Sequence, residues 1–341
     1  MSSTSQVTTF SDIYTDLQNR VRVATGISAT ETQAKRYANI ALQDIHIGTD
    51  YTFPWTERRS TILTSAPYST GTVAVTPGSS VATGTDTLWN TAGTYGVTNT
   101  AAGMKMRIAG ATDLYSILTV SGDTLINLSQ KYVGSAALTD AEYVSFKDEY
   151  ALASDFLRPI DFALFSSDWS IPLLDRKEFR RLHVRGNISG KPTSASILDL
   201  SFSGSTTPVR KVVLYPYPDQ VYIIPYSYVT SNFVVTSAGV EQSAMSSDTD
   251  EPIMPLRYRH VIVLHALMNW YRDKRDDARS QEAKAEFGEL MTRMISDHDM
   301  GTHNRVRIQP NEGLYRAHAV RPYRRQGGTR YSTNNNFDSF R

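Results

Sequence analysis

The 341 residues contain no cysteine. Disulfides, thiolate metal ligands and cysteine nucleophiles are thereby excluded, and the chain suits a reducing compartment. No apolar run reaches the roughly eighteen residues that mark a membrane-spanning helix, so no membrane partner is expected. The opening, Met1 to Thr9, is polar and has neither the basic stretch nor the apolar core of a secretion signal, and no export is expected from it. A charge excess of one sign is missing too: 35 Lys and Arg stand against 34 Asp and Glu, a net of +1.

Catalytic signatures are equally scarce. Gly190-Lys191-Pro192 lacks the upstream glycine and the following Ser or Thr of a phosphate-binding loop, and its proline opposes the helix start that loop needs. No Gly-x-Ser-x-Gly elbow is present. His260 and His265 are five apart, roughly 140° around a helix, whereas a metalloprotease needs two histidines four apart on one face. His265 therefore reads as a core histidine. Asp248, Asp250 and Glu251 lack the spacing and glycine of a calcium loop and read as loop acids ahead of a helix. Asp113, Asp123 and Glu142 are the only near neighbours that could pair as glycosidase carboxylates, and nothing in their spacing brings two of them together. The expectation is a protein that is not an enzyme and binds neither metal nor cofactor.

What the chain does have is an unusual final segment. From Gly301 to Arg341 the hydrophobic periodicity stops. Arg305, Arg307, Arg316, Arg321, Arg324, Arg325, Arg330 and Arg341 stand there against Glu312 and Asp338 only, a net of +6. With +1 for the whole chain, residues 1–300 are left at −5, so a near-neutral total hides an acidic body and a basic arm. Too little of the segment is aliphatic to offset its ordering entropy unaided, and Pro310, Gly313 and Pro322 favour an extended course. Arginine interleaved with tyrosine suits a nucleic-acid backbone or a protein groove; an acidic body disfavours wrapping DNA, which points to the groove.

The body alternates between two kinds of text. Ile13, Leu17, Val21 and Ala24, then Ala34, Tyr37, Ala38, Ala41, Leu42 and Ile45, recur at three and four and predict two helices separated near Gly26 and Ser28. Thr30 with Gln33 reads as a capping box for the second, and Gly48 as its C-terminal cap. From Pro54 to about Phe146 short alternating runs, beginning with Val73 and Val75, the Pro77-Gly78 turn, and Val81 and Thr83, predict a small barrel or sandwich with Trp89 as its core plug. Residues 150–240 predict a short helix from Asp175 to Leu182 and strands at 197–202, 209–215, 221–228 and 233–235, with Pro216 and Pro218 turning a hairpin. The stretch from Tyr258 to Trp270 is apolar almost all round and predicts a buried helix, followed by an amphipathic one from Ala278 to His298. The fold class is thus α+β: a helical bundle from both chain ends, an inserted β-barrel or sandwich module, a second β-rich region and an extended C-terminal tail. In residue ranges this is an N-terminal helical pair in 1–60, the β module in 61–148, a mixed β-rich region in 149–250, a C-terminal helical pair in 251–300 and the basic tail in 301–341. The first module boundary fits Ser60 and Ser69 equally. Arg176, Lys177, Arg180, Arg181 and Arg185, interrupted by Phe179 and Leu182, form a basic run that suits phosphate, an acidic neighbour, or simply a solvated helix face balancing Asp175 and Glu178.

Several stretches in succession resemble the head-to-tail connector proteins of tailed bacteriophages, in particular the adaptors that bind beneath the portal. They are Gly71 to Trp89 with Met106 to Gly110, Tyr115 to Val120 and Asp123 to Leu128; then Tyr150 to Arg158, Leu174 to Phe179, Gly190 to Pro192 and Leu214 to Pro218; then Asp248 to Pro255 leading into the long helices. The resemblance spans most of residues 10–298 and includes no catalytic signature. It implies a structural virion protein at the head-to-tail interface, assembled in the host cytoplasm. It further implies a homo-oligomeric ring, usually a dodecamer, packed on the portal protein, with the next tail component (nozzle, stopper or tail tube protein) on its far face. DNA would cross the channel without sequence-specific binding. The docking residues it points to are Arg305, Arg307, Tyr315, Arg316, Arg321, Tyr323, Arg324, Arg325, Arg330, Tyr331, Phe337 and Phe340. The competing expectation is a nucleic-acid-binding protein that uses the same Arg- and Tyr-rich tail.

Overall fold

A computed structural model describes residues 7–22, 27–48, 51–93, 95–160, 163–166, 169–182, 188–201 and 209–298. The chain divides into two compact units, 1–290 and 291–341. The second is described only as far as residue 298, so the arginine-rich segment 301–341 lies outside the described residues.

The class is α+β, with helices α1 (Phe10–Val21) and α2 (Ser28–Ile47) opening the chain. Strand β1 (Glu57–Leu63) precedes a run of short strands: β2 (Thr72–Val75), β3 (Val81–Thr85), β4 (Lys105–Ile108), β5 (Leu114–Val120), β6 (Leu125–Leu128), β7 (Leu138–Ala141) and β8 (Tyr143–Phe146). Then come β9 (Glu149–Ala151), β10 (Phe156–Pro159), β11 (Ala163–Ser166), β12 (Trp169–Pro172) and helix α3 (Arg176–Leu182). Strands β13 (Ser194–Ser201), β14 (Val209–Tyr215), β15 (Ile223–Thr230), β16 (Val234–Val235), β17 (Glu241–Gln242) and β18 (Glu251–Pro252) lead to helices α4 (His260–Asp273) and α5 (Asp277–His298).

Helix α1 opens with a reciprocal cap: the Asp12 amide donates to Thr9 Oγ1 at 3.3 Å and the Thr9 amide donates to Asp12 Oδ2 at 2.9 Å. Those amides hold the Asp12 carboxyl below its ordinary range even though burial, the largest influence, pushes it up. The box expected at Thr30 and Gln33 does not form. Helix α2 starts three residues earlier, with Ile27 as its N-cap, whose carbonyl already accepts the amides of Thr30 and Glu31. Thr30 thus sits inside the first turn with its hydroxyl on the Ile27 carbonyl at 2.9 Å, and Gln33 Nε2 donates forward to Tyr37 Oη. Gly48 does occupy the C-cap, in a right-handed conformation; a Cβ there would stand 2.6 Å from the Asp44 carbonyl oxygen, so close approach is what demands glycine.

Helices α1, α2 and α4 pack together. Phe10, Ile13 and Leu17 of α1, Ala34, Ala38, Ala41, Leu42 and Ile45 of α2, and Val261 to Ala266 of α4 are all buried. Polar bonds fix how the distant segments meet. The α1 amides of Phe10 and Ser11 donate to the carbonyls of Asp250 and Asp248, satisfying helix-start donors with a loop some 240 residues downstream. Asn39 of α2 pairs with the Met245 backbone in both directions, at 3.0 and 2.8 Å. Arg259, 8% exposed, donates to the carbonyls of Met254 and Thr8 and pairs with Glu251 at 2.9 Å.

Strands β2 to β8 form one seven-stranded sheet in the order β7-β2-β3-β6-β5-β4-β8. β7 and β8 are consecutive around Glu142 yet pair with β2 and β4 at opposite ends of the sheet, so one stretch of chain draws the two edges together. Inside lie Val73, Val75, Met106, Ile108, Tyr115, Ile117, Ile126 and Trp89. Trp89 is fully buried and donates from Nε1 to Tyr143 Oη at 2.8 Å; a Cβ on Gly84 would meet its ring at 2.7 Å. The tryptophan supplies packing area, as the sequence predicts.

The middle region departs from expectation at Pro216 and Pro218. They turn no hairpin, because β14 pairs with β13 and β9 while β15 pairs with β1 and β10. With proline on both sides, the only amide there is that of Tyr217, and it donates to the Ile188 carbonyl at 3.1 Å instead of into a hairpin ladder. β15 meanwhile finds a seven-pair antiparallel register along β1, from Glu57↔Val229 to Leu63↔Ile223.

Candidate functional site

The tail residues Arg305, Arg307, Tyr315, Arg316, Arg321, Tyr323, Arg324, Arg325, Arg330, Tyr331, Phe337 and Phe340 fall outside the described residues, as does Arg185. The rest of the basic run is described and lies on α3.

That helix is set by its flanks. The Asp175 carboxylate accepts the Lys177 amide at 3.0 Å, the Asp175 carbonyl accepts the Phe179 amide at 2.8 Å, and Leu174 donates to the Ala195 carbonyl at 2.8 Å, tying the helix start to β13. Phe179 is the inward residue, 9% exposed. At about 100° per residue, Lys177, Arg180 and Arg181 then fall within an arc of about 100° on the opposite side, and Arg176 lies nearer the Phe179 side. Exposure follows this geometry: Arg176 is intermediate, while Lys177, Arg180 and Arg181 are exposed. Among the described residues none of these three cations has an ion-pair partner.

Beneath the helix, Phe179 lines a cavity of about 150 Å³ together with Lys105, Asp148, Val213, Leu214, Tyr215 and Tyr217. Its charges are matched internally. Lys105 pairs with the buried Asp148 and reaches Glu149 at 3.7 Å, and Glu149 in turn reaches Lys211 at 3.8 Å. Phe146 stacks on Tyr217 with centroids 3.9 Å apart. Nearby, burial first and the Lys211 charge second push the Lys147 ammonium below its ordinary value, while its Nζ sits 5.0 Å from the Tyr150 ring centroid. The sequence reading missed this chain of charges. The only available signal was Lys105 and Lys211 standing at outward positions of alternating strands, where a charge looks merely solvated.

The other sequence candidates are dispersed. Asp248 pairs with Lys35 at 2.8 Å, Asp250 accepts the Ser246 and Ser247 amides at 2.7 Å each, and Glu251 pairs with Arg259. His265 is 8% exposed and lies 3.3 Å from Asn269 Nδ2; burial is the main influence holding its imidazole below the ordinary range. Asp123 is occupied by the Asn90 amide and the Thr91 hydroxyl at 2.8 and 3.2 Å. Among the described residues no group of His, Asp and Glu could hold a metal ion, and no helix is long and apolar enough to cross a membrane. No protein-family model matches this chain, and no curated protein matches it.

Proposed function

We propose that the chain is a structural virion protein: a head-to-tail adaptor that forms a ring under the portal, joins capsid to tail and extends the DNA channel. The layout it needs is a helical bundle drawn from both ends of the body with a β module inserted between them. The observation that carries this reading is the way α1, α2 and α4 pack as one group, locked by Arg259, Asn39 and the 248–250 carbonyls, while the seven-stranded sheet is spliced between α2 and α4. Such a bundle is a rigid base from which a loop-connected module can reach a second partner. A closed ring needs two different, complementary patches on each copy, and segregation of a +6 segment from a −5 remainder supplies charge of both signs in one chain. On this reading the Arg- and Tyr-rich segment docks into a groove of the portal protein and is ordered there, and the β module meets the next tail component.

The test is the chain with residues 301–341 removed. The truncated protein should keep its folded core and lose portal binding; binding at full strength without the segment would refute the docking arm.

A further inference from the structure

We propose that the outward face of α3, carrying Lys177, Arg180 and Arg181, is a sequence-independent contact for the phosphate backbone of duplex DNA. Three observations lead there. The buried Phe179 fixes the rotation of the helix, so the three cations are presented together and not by chance of side-chain motion. All three are exposed and lack ion-pair partners among the described residues; single exposed cations such as Arg36 and Lys131 lack them as well, and what sets α3 apart is that three share one face of one helix. And the face is made of charge alone: its one aromatic residue is turned inward, so it lacks the apolar or aromatic centre on which protein interfaces depend. Neighbours one helical turn apart and of like sign repel, which costs a helix a little on its own and is relieved when each meets an anion. Residues 1–300 are otherwise acidic in sum, so DNA would meet a local positive island on a repelling body and be touched without being wrapped.

The choice of DNA as the phosphate source rests on the adaptor reading; the geometry of the cations does not. The test uses the full chain and measures binding to two unrelated DNA duplexes across a salt series, comparing wild type with the Lys177→Ser/Arg180→Ser/Arg181→Ser variant. Removing three phosphate contacts should flatten the log–log salt dependence by about 2 to 3, so that between 50 and 200 mM salt wild type loses on the order of 40-fold more affinity than the variant. The loss should be equal for both sequences. Arg180→Lys/Arg181→Lys, which keeps the charges, should behave as wild type, since a phosphate accepts lysine as a point charge. An unchanged slope in the serine variant overturns the proposal, as does wild type that shows no salt-dependent DNA binding. If the serine variant binds DNA normally and instead fails to form a ring on the portal, the face belongs to an acidic protein neighbour. Wild type that forms no ring on the portal but shows the predicted change in slope would sink the adaptor reading and leave this contact standing.

Discussion

His46 is held in one protonation state by two partners that each serve only one role. The Leu42 carbonyl, 2.8 Å away, can only accept, so Nδ1 carries the proton; Trp55 Nε1, at 3.2 Å, can only donate, so Nε2 is bare. The ring is 2% exposed and stacked on Phe233 with centroids 4.5 Å apart. Burial pushes its pKa down to about 4 from an ordinary 6.5. Because the folded state resists the proton that the unfolded chain accepts, this stability is complete above pH 6.5 and is lost as pH falls toward 4, by about 2 to 3 kcal/mol between pH 7 and 4.5. Urea melts at the two pH values should show that loss. His46→Phe should remove most of it, leaving the smaller slope of His260 and His265, which are also held below their ordinary values. Equal pH slopes in variant and wild type would contradict this assignment. Trp89→Ala is the second prediction at this scale. It empties the middle of the seven-stranded sheet and removes the donor to Tyr143, for a loss of about 3 to 5 kcal/mol in a denaturant melt.

Among the elements, the helix starts are the sharpest test. Thr9 caps α1 with its hydroxyl, and Thr9→Ala should cost about 1 kcal/mol. Thr30→Ala should cost less, because the N-cap of α2 is Ile27 and no side-chain oxygen caps that helix; thermal melts of the two variants decide the order. Both helices were legible in the sequence, since the three-and-four spacing of Ala34 to Ile45 is a local signal. The cap was misplaced because Thr-x-x-Gln competes with the register in which Glu31 and Asp248 both meet Lys35, a contact 213 residues away. The same reason explains the strands. Val73, Val75, Met106 and Ile108 alternate and were readable, and β14 was found with its bounds. β1, whose Glu57-Arg58-Arg59-Ser60 is polar, is a strand because β15 pairs along its whole length. The Pro216 turn failed as a hairpin signal because turn chemistry says where a chain bends and not which strand it meets next. Of the α3 face, the charges were visible in sequence. Their common orientation follows from Phe179 being the buried residue, which the alternation of basic and apolar letters leaves open.

For the whole molecule the central feature is separation. A charge-balanced composition resolves into an acidic body and a strongly basic final segment, and within the body some cations, Lys35, Arg58, Lys105 and Arg259 among them, meet neighbouring carboxylates while the α3 face gathers three that do not. Such a chain can remain apart from its copies until a partner's surface orders the segment, which would confine ring formation to the portal. The most direct measurement is electron microscopy of the purified protein mixed with the portal of its virion, with the protein alone and the chain lacking 301–341 alongside. The account predicts a ring stacked coaxially on the portal, with the segment ordered only in that mixture and no ring from the truncated chain. Full-length protein that ignores the portal would contradict it and shift the weight to direct nucleic-acid binding.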